Sequence, residues 1–107
     1  RKQRFAQIHR EGTSSANRLL VIRILPNGLE HSRFGFVVSK RIGNAVTRNL
    51  IKRRLRESVR QTNTKGGWDA VIIARRGASS VEFSQLKHAV YGLLQRAKLA
   101  KSSPSSE

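Results

Sequence analysis

The stretch SKRIGNAVTRNLIKRRLRESVR, from Ser39 to Arg60, constrains this chain more than any other. It opens on a strand end, breaks at Gly43-Asn44 and runs into a helix. At about 100° per residue, Ile51, Leu55 and Val59 fall in one narrow arc. That stripe must face a core. Lys52, Arg56, Asn49, Arg60 and Arg53 fill the adjoining arc, which is almost purely basic, and Glu57 is the only acid of the segment. Few of these cations can be paired within the helix. Solvated faces normally mix both signs. A helix with one side for a core and one for a polyanion follows, and RNA or DNA is the polyanion it fits. Leu50 and Arg54 lie off both arcs and are expected in solvent.

The rest of the chain must supply the core that this helix faces. Its 107 residues allow one small domain. The expected division is a single RNA-binding domain over 1–100 and a disordered Ser-rich tail over 101–107, since Ser-Ser-Pro-Ser-Ser has nothing to bury. Lys and Arg number 22 against 6 Asp and Glu, a formal charge of +16. Such a chain repels itself and is most stable when a polyanion neutralises it. With no cysteine, disulfides and thiolate metal sites are excluded. No apolar run approaches the roughly 18 residues that span a bilayer, so no membrane partner is expected and the cytoplasm is the expected compartment.

In chain order, Lys2 to Arg10 predicts a short helix with Phe5, Ile8 and His9 on one face, stopped by Gly12 in a left-handed turn. Asn17 to Leu25 predicts a strand with Leu20, Ile22 and Ile24 on one face and Leu19, Val21 and Arg23 on the other. Pro26-Asn27-Gly28 predicts a turn, and Arg33 to Ser39 the partner strand, with Phe34, Phe36 and Val38 towards the core. Gly35 leaves room for a close approach. After the basic helix, Trp68 to Arg75 predicts a strand whose Val71-Ile72-Ile73 lacks polar alternation and so is covered on both faces. Ser79 and Glu82 have capping-box spacing ahead of a last helix. Phe83, Leu86, Val90, Leu93, Leu94 and Ala97 give that helix its apolar face. The order αββαβα implies an α+β, two-layer sandwich of one sheet with its helices mainly on one face.

Nuclease chemistry by side chains needs a general base and acid, or carboxylates holding metal ions. Glu11, Glu30, Glu57, Asp69, Glu82 and Glu107 are scattered singly, so no metal site is expected in the protein. His9, His31 and His88 fall on the first helix, near the turn and on the last helix. Gly43-Asn44 lacks the glycine pattern and lysine of a phosphate-cradling loop. The residues alone describe a basic RNA-binding domain without an active centre of its own. A small ribosomal or other ribonucleoprotein scaffold protein would share the basic helix, though it has no reason for the whole Ile42 to Arg56 pattern.

The run KRIGNAVTRNLIKRRLRE resembles the signature of the protein subunit of bacterial ribonuclease P. Lys40, Ile42-Gly43-Asn44-Ala45-Val46, Arg48-Asn49, Ile51-Lys52-Arg53 and Arg56 carry the match. It extends through Phe5, the Gly12-Thr13-Ser14 turn with Asn17-Arg18, and the strand at Asp69 to Arg75, nearly all the chain except the tail. The resemblance implies a fold like domain 2 of ribosomal protein S5, with a left-handed crossover from Arg33 to Arg75. It implies an accessory subunit of an endonuclease that removes the 5′ leader of precursor tRNA, the catalytic centre and its Mg2+ ions lying in an RNA subunit bound one to one. It places Lys40, Arg41, Arg48, Asn49, Lys52, Arg53 and Arg56 on that RNA, with Arg60 on the same arc. The leader cleft would take Phe5, His9, Asn17, Arg18, Arg23 and Val37. His9 and Arg23 stand where the family commonly has aromatics.

Overall fold

The computed structural model describes residues 2–101. Its elements are α1 (Lys2–Glu11), β1 (Thr13–Ala16), β2 (Leu20–Pro26), β3 (Arg33–Val37), α2 (Ala45–Arg60), β4 (Trp68–Ala74) and α3 (Phe83–Arg96), with a 3₁₀ turn at Arg76–Ser80. The strand with no polar alternation takes an inner place. β4 lies between β2 and β3 in a sheet of order β1-β2-β4-β3. It pairs antiparallel with β2 and parallel with β3, and α2 makes the crossover that a parallel pair requires.

Two expectations about the sheet change here. β3 is not the hairpin partner of β2, because β4 stands between them. An edge suits β3, whose Arg33 and Val37 are exposed, better than it suits Val71-Ile72-Ile73. The Thr13-Ser14 segment is not a turn but the start of β1, running antiparallel to β2 from Thr13↔Ile24 to Ala16↔Val21. Its TSSA sequence buries nothing fully, so no hydrophobic pattern announces it. The order is therefore αβββαβα, an α+β fold with a mixed sheet.

The core lies on one side of this sheet. Leu20, Ile22 and Ile24 of β2 and Ala70, Ile72 and Ala74 of β4 are buried there, with Phe34 and Phe36 packed alongside. Against them α2 sets Ile51, Leu55 and Val59, and α3 sets Leu86, Val90, Leu93 and Leu94. The helix phase read from the sequence is the one observed. Each buried aliphatic side chain of this kind contributes about 1.5–3 kcal/mol. Leu50 and Arg54 depart from expectation by being half-buried. The Arg54 guanidinium stacks over Phe83, 5.8 Å from the ring centroid, because α3 packs beside that flank of α2.

The helix ends are set by local chemistry. Asn44 caps α2, its Oδ1 accepting from the Thr47 N–H at 2.9 Å. The capping box of α3 is formed by Glu82 and Gln85, not by Ser79 and Glu82. The Arg76–Ser80 segment buries Ala78 in a turn of its own and delays the helix start. Gly12 ends α1 without a left-handed conformation; glycines of positive φ are Gly28 and Gly67. Space requires it, since a Cβ there would lie 2.5 Å from the Ile8 carbonyl and 2.8 Å from that of Ile24.

α3 ends in a Schellman motif with a lysine where glycine is usual. Lys98 has φ 65°, its N–H donates to Gln95 O, and the Leu99 N–H donates to Leu94 O at 2.8 Å. Leu99 is fully buried, Ala100 bridges to Thr64, and the Lys101 N–H donates to Asn63 O. The remainder of the expected tail lies outside the described residues. Lys98→Gly removes the left-handed penalty and should stabilise the domain by about 0.5–1 kcal/mol. A thermal melt checks this: the midpoint should rise by a few degrees, and a fall would show that Lys98 carries no backbone strain.

Candidate nucleic-acid interface

The sheet face turned away from the core is laid out in rows by the strand register. Arg33, Asp69 and Leu25 form one row, Gly35, Val71 and Arg23 the next, and Val37, Ile73 and Val21 the third. α1 crosses this face with Ile8 as its one fully buried side chain. Gly35 decides how close the helix comes, because a Cβ there would sit 3.2 Å from Cζ of Phe5. The room foreseen at Gly35 is taken by the Phe5 ring, yet Phe5 stays 48% exposed. A groove of about 330 Å³ opens beside it, lined by Phe5, Ala6, Ile8, His9, Arg23, Val37, Val71 and Ile73. On the other side of Phe5 a second recess of about 470 Å³ is bounded by Arg4, Arg33, Gly35 and Asp69.

Polar latches hold α1 at both ends. Near its start, Arg4 Nε donates to Asp69 Oδ2 at 2.7 Å and Arg4 Nη2 donates to the Pro26 carbonyl at 2.9 Å. Asp69 also accepts from Asn27 Nδ2 at 3.0 Å and from Arg33 Nε and Nη2, both at 2.7 Å. At the far end Arg23 turns its guanidinium under the helix C-terminus. It donates to the carbonyls of Ile8, His9 and Gly12 and to Ser14 Oγ. The Ile8 carbonyl also accepts from the Gly12 N–H at 2.9 Å, and the last turn carries the negative end of the helix dipole, so a cation is favoured there.

The structure thus brings four of the six expected cleft residues together, Phe5, His9, Arg23 and Val37. Arg23 lines the groove with its stem while its donors serve the helix. Asn17 and Arg18 are not brought to this groove. Asn17 clips the β1–β2 turn, with Oδ1 accepting from Leu19 and Leu20 N–H and Nδ2 donating to Ala89 O of α3. Arg18 is exposed beside it.

The basic arc of α2 lies beyond the opposite face of the sheet. Asn49, Arg53, Arg56 and Arg60 are exposed, Lys52 is half-buried, and Lys40 and Arg41 are exposed on the turn before the helix. Arg48 is half-buried and donates from Nε to Gly43 O at 3.1 Å, tying the signature loop to the helix. Arg56 stands over the Phe36 ring, 5.7 Å from its centroid. Arg60 is engaged by Glu57 through two hydrogen bonds, whereas Arg53 is exposed and makes no side-chain hydrogen bond or ring contact among the described residues.

The family model for Ribonuclease P matches residues 1–98. The ribonuclease P protein component of Dehalococcoides mccartyi is 42% identical over 99 residues, covering 92% of this chain and 82% of its own. That of Streptococcus pneumoniae is 40% identical over 111 residues, covering 100% of this chain and 89% of its own. The chain belongs to the ribonuclease P protein family. The solved RNase P protein of Staphylococcus aureus superposes with a TM-score of 0.87 at 35% identity, covering 94% of each chain. The ribosomal scaffold reading, which rested on small size, basic charge and a similar fold, gives way to this match.

Within this ribonuclease P protein, Arg4, Asn27 and Asp69 build the groove although none was singled out as a site residue. The signal was available: a lone acid at the start of an apolar strand must find partners or stay unburied. The Arg33 hydrogen bonds hold the Asp69 carboxyl far below the usual carboxylate range, with Asn27 and Arg4 adding to the effect against the burial that opposes it. A folded pKa depressed below the unfolded value of about 3.9 means a stabilisation fully present above that value and lost as pH falls below it. Asp69→Asn should cost about 2–3 kcal/mol at neutral pH, less than for a fully buried pair because Arg33 is half-exposed. Melts of parent and variant should differ most near pH 7 and converge as pH falls below about 4. A gap unchanged at pH 2 would show that the carboxylate charge is not what stabilises the clamp.

Proposed function

We propose that this protein is the accessory subunit of the ribonuclease P ribonucleoprotein, gripping the catalytic RNA with α2 and the single-stranded leader of precursor tRNA with the groove under α1. The observation that carries the reading is the separation of two unlike surfaces across the sheet. One is a convex helix face with Asn49, Arg53 and Arg56 exposed. The other is an apolar groove with half an aromatic ring bare. Cations on a helix suit the backbone of a folded RNA, where phosphate contacts fix position. An exposed ring over an apolar floor suits an unstacked base, the feature that distinguishes single-stranded RNA.

In this division the protein positions and the RNA reacts. The groove holds the leader against Phe5 and His9, while Lys40, Arg41, Arg48, Lys52 and the arc neutralise phosphates of the RNA subunit in a one-to-one complex. On this reading the magnesium ions of the reaction belong to the RNA subunit. Asp69, the one buried acid among the described residues, is committed to Arg4, Asn27 and Arg33. No described helix is long and apolar enough to cross a membrane.

Two measurements test the reading. Precursor tRNA incubated with the purified protein alone should stay intact, and magnesium-dependent cleavage should need the RNA subunit; robust cleavage by RNA-free protein would overturn it. Phe5→Ala removes a flat wall but no charge, and should cost about 1–3 kcal/mol of substrate affinity in the holoenzyme. That loss should appear only when the tRNA carries a leader, with RNA-subunit affinity unchanged and the melt little altered. An unchanged ratio between leader-bearing and leaderless tRNA would refute the groove assignment.

A further inference from the structure

The core face of α3 is accounted for by Leu86, Val90, Leu93 and Leu94, but its outward face is not used by either surface described above. That face presents Ser84, Lys87, His88, Tyr91 and Gln95, all exposed. Tyr91 is 39% exposed, and its hydroxyl accepts from Gln95 Nε2 at 3.0 Å, which holds the ring in place along the helix. Lys87 lies one turn before it and Phe83 one turn before that, with the Arg54 guanidinium stacked over Phe83. Lys87 and Tyr91 form a ridge between two grooves. One, of about 340 Å³, runs to the end of α2 and includes Thr62, Asn63 and Lys101. The other, of about 380 Å³, is lined by Phe83, Ser84, Lys87, His88 and Tyr91.

Cations outnumber acids around the ridge, although the Glu57 carboxylate lies near enough to Lys87 to feel its charge. Glu57 is hydrogen-bonded by Arg60 and Gln61, while Glu82 is engaged in the cap of α3. Neither groove shares a residue with the recess under α1, which lies across the sheet. The face also differs from the basic arc of α2. Arg54 marks the flank of α2 that meets α3, whereas Arg56 marks the flank that meets β3 through Phe36. An aromatic ring held beside lysines and bordered by polar grooves is the makeup of a surface for unpaired nucleotides, where bases stack and cations follow the backbone. Because α3 packs directly on α2, the nearest polyanion in the assembled particle is the RNA that α2 grips.

We propose that the outward face of α3 is a second RNA-docking surface, where Tyr91 stacks on an unpaired base of the RNA subunit and Lys87 and Lys101 hold the flanking phosphates. This rests on the assignment of α2 to that RNA, so the test carries a control for α2. Affinity of the full-length protein for the cognate RNA subunit should be measured across a salt series for Tyr91→Ala, Tyr91→Phe, Lys87→Ala and Arg53→Ala, each with a thermal melt. Tyr91→Ala should weaken binding about 5- to 100-fold with an unchanged melt, and Tyr91→Phe should bind within about twofold of the parent because the ring is kept. Lys87→Ala and Arg53→Ala should each lower the salt slope by about one. Chemical probing should show unpaired nucleotides of the RNA subunit losing protection in the Tyr91→Ala complex.

Parent-like binding by Tyr91→Ala and Lys87→Ala, with Arg53→Ala weakened, would sink the α3 surface and leave the α2 assignment standing. Parent-like binding by all three alanine variants would remove both. Equal losses for Tyr91→Phe and Tyr91→Ala, or protection changes confined to precursor tRNA, would also overturn the proposal.

Discussion

A carboxylate that is almost out of water organises this fold. The Asp69 side chain is 6% exposed at the start of the strand that pairs on both sides, and alone it would cost several kcal/mol. It is satisfied by donors from three places: Arg4 of α1, Asn27 of the turn after β2, and Arg33 at the head of β3. That requirement draws the first turn of α1 and the edge strand to one point. The opposite end of α1 is drawn down by Arg23. A helix of 10 residues that fully buries only Ile8 has little apolar reason to stay on the sheet. Held by its ends, it can leave the middle unpacked, and the half-bare Phe5 and its groove are the consequence.

The same economy explains where the positive charge goes. A formal +16 on so short a chain is self-repulsive, yet several of its arginines are structural parts. Arg4, Arg23 and Arg33 latch the groove, Arg48 ties the signature loop to α2, and Arg54 and Arg56 stack on Phe83 and Phe36. Arginine suits such places because one planar group supplies several donors and a face for stacking, which lysine does not. Around Arg53, Asn49, Lys40 and Arg41 the cations stay exposed, and on the proposed reading this is where RNA supplies the missing counter-charge.

Much of the fold was legible because it follows from periodicity. The stripe Ile51, Leu55 and Val59 and the apolar face of α3 obey the helical repeat, and the unbroken Val71-Ile72-Ile73 run foretold a strand covered on both faces. What escaped had no apolar pattern to announce it. β1 is four small residues, three of them polar, recruited by the open backbone edge of β2, and the insertion of β4 between β2 and β3 is a long-range choice that a turn at Asn27-Gly28 does not encode. The stop at Gly12 was anticipated with the wrong cause, since the glycine answers crowding by the carbonyls of Ile8, one turn back, and of Ile24 on β2. Of the groove, Phe5, His9, Arg23 and Val37 were placed through a family resemblance, not through spacing. The latch that positions them, Asp69 with Arg4, Asn27 and Arg33, joins residues from four segments and is visible only in three dimensions.

The central claim is that two different RNAs meet two different faces of one small sheet. The chain has no cysteine, so a thiol introduced at one position is a unique handle for a photo-crosslinker. Val37→Cys puts that handle in the groove and Arg53→Cys puts it on the basic arc. With each variant assembled on the RNA subunit and a precursor tRNA, the account predicts crosslinks from position 37 to leader nucleotides and from position 53 to the RNA subunit alone. Crosslinks from both positions to the same RNA would contradict it.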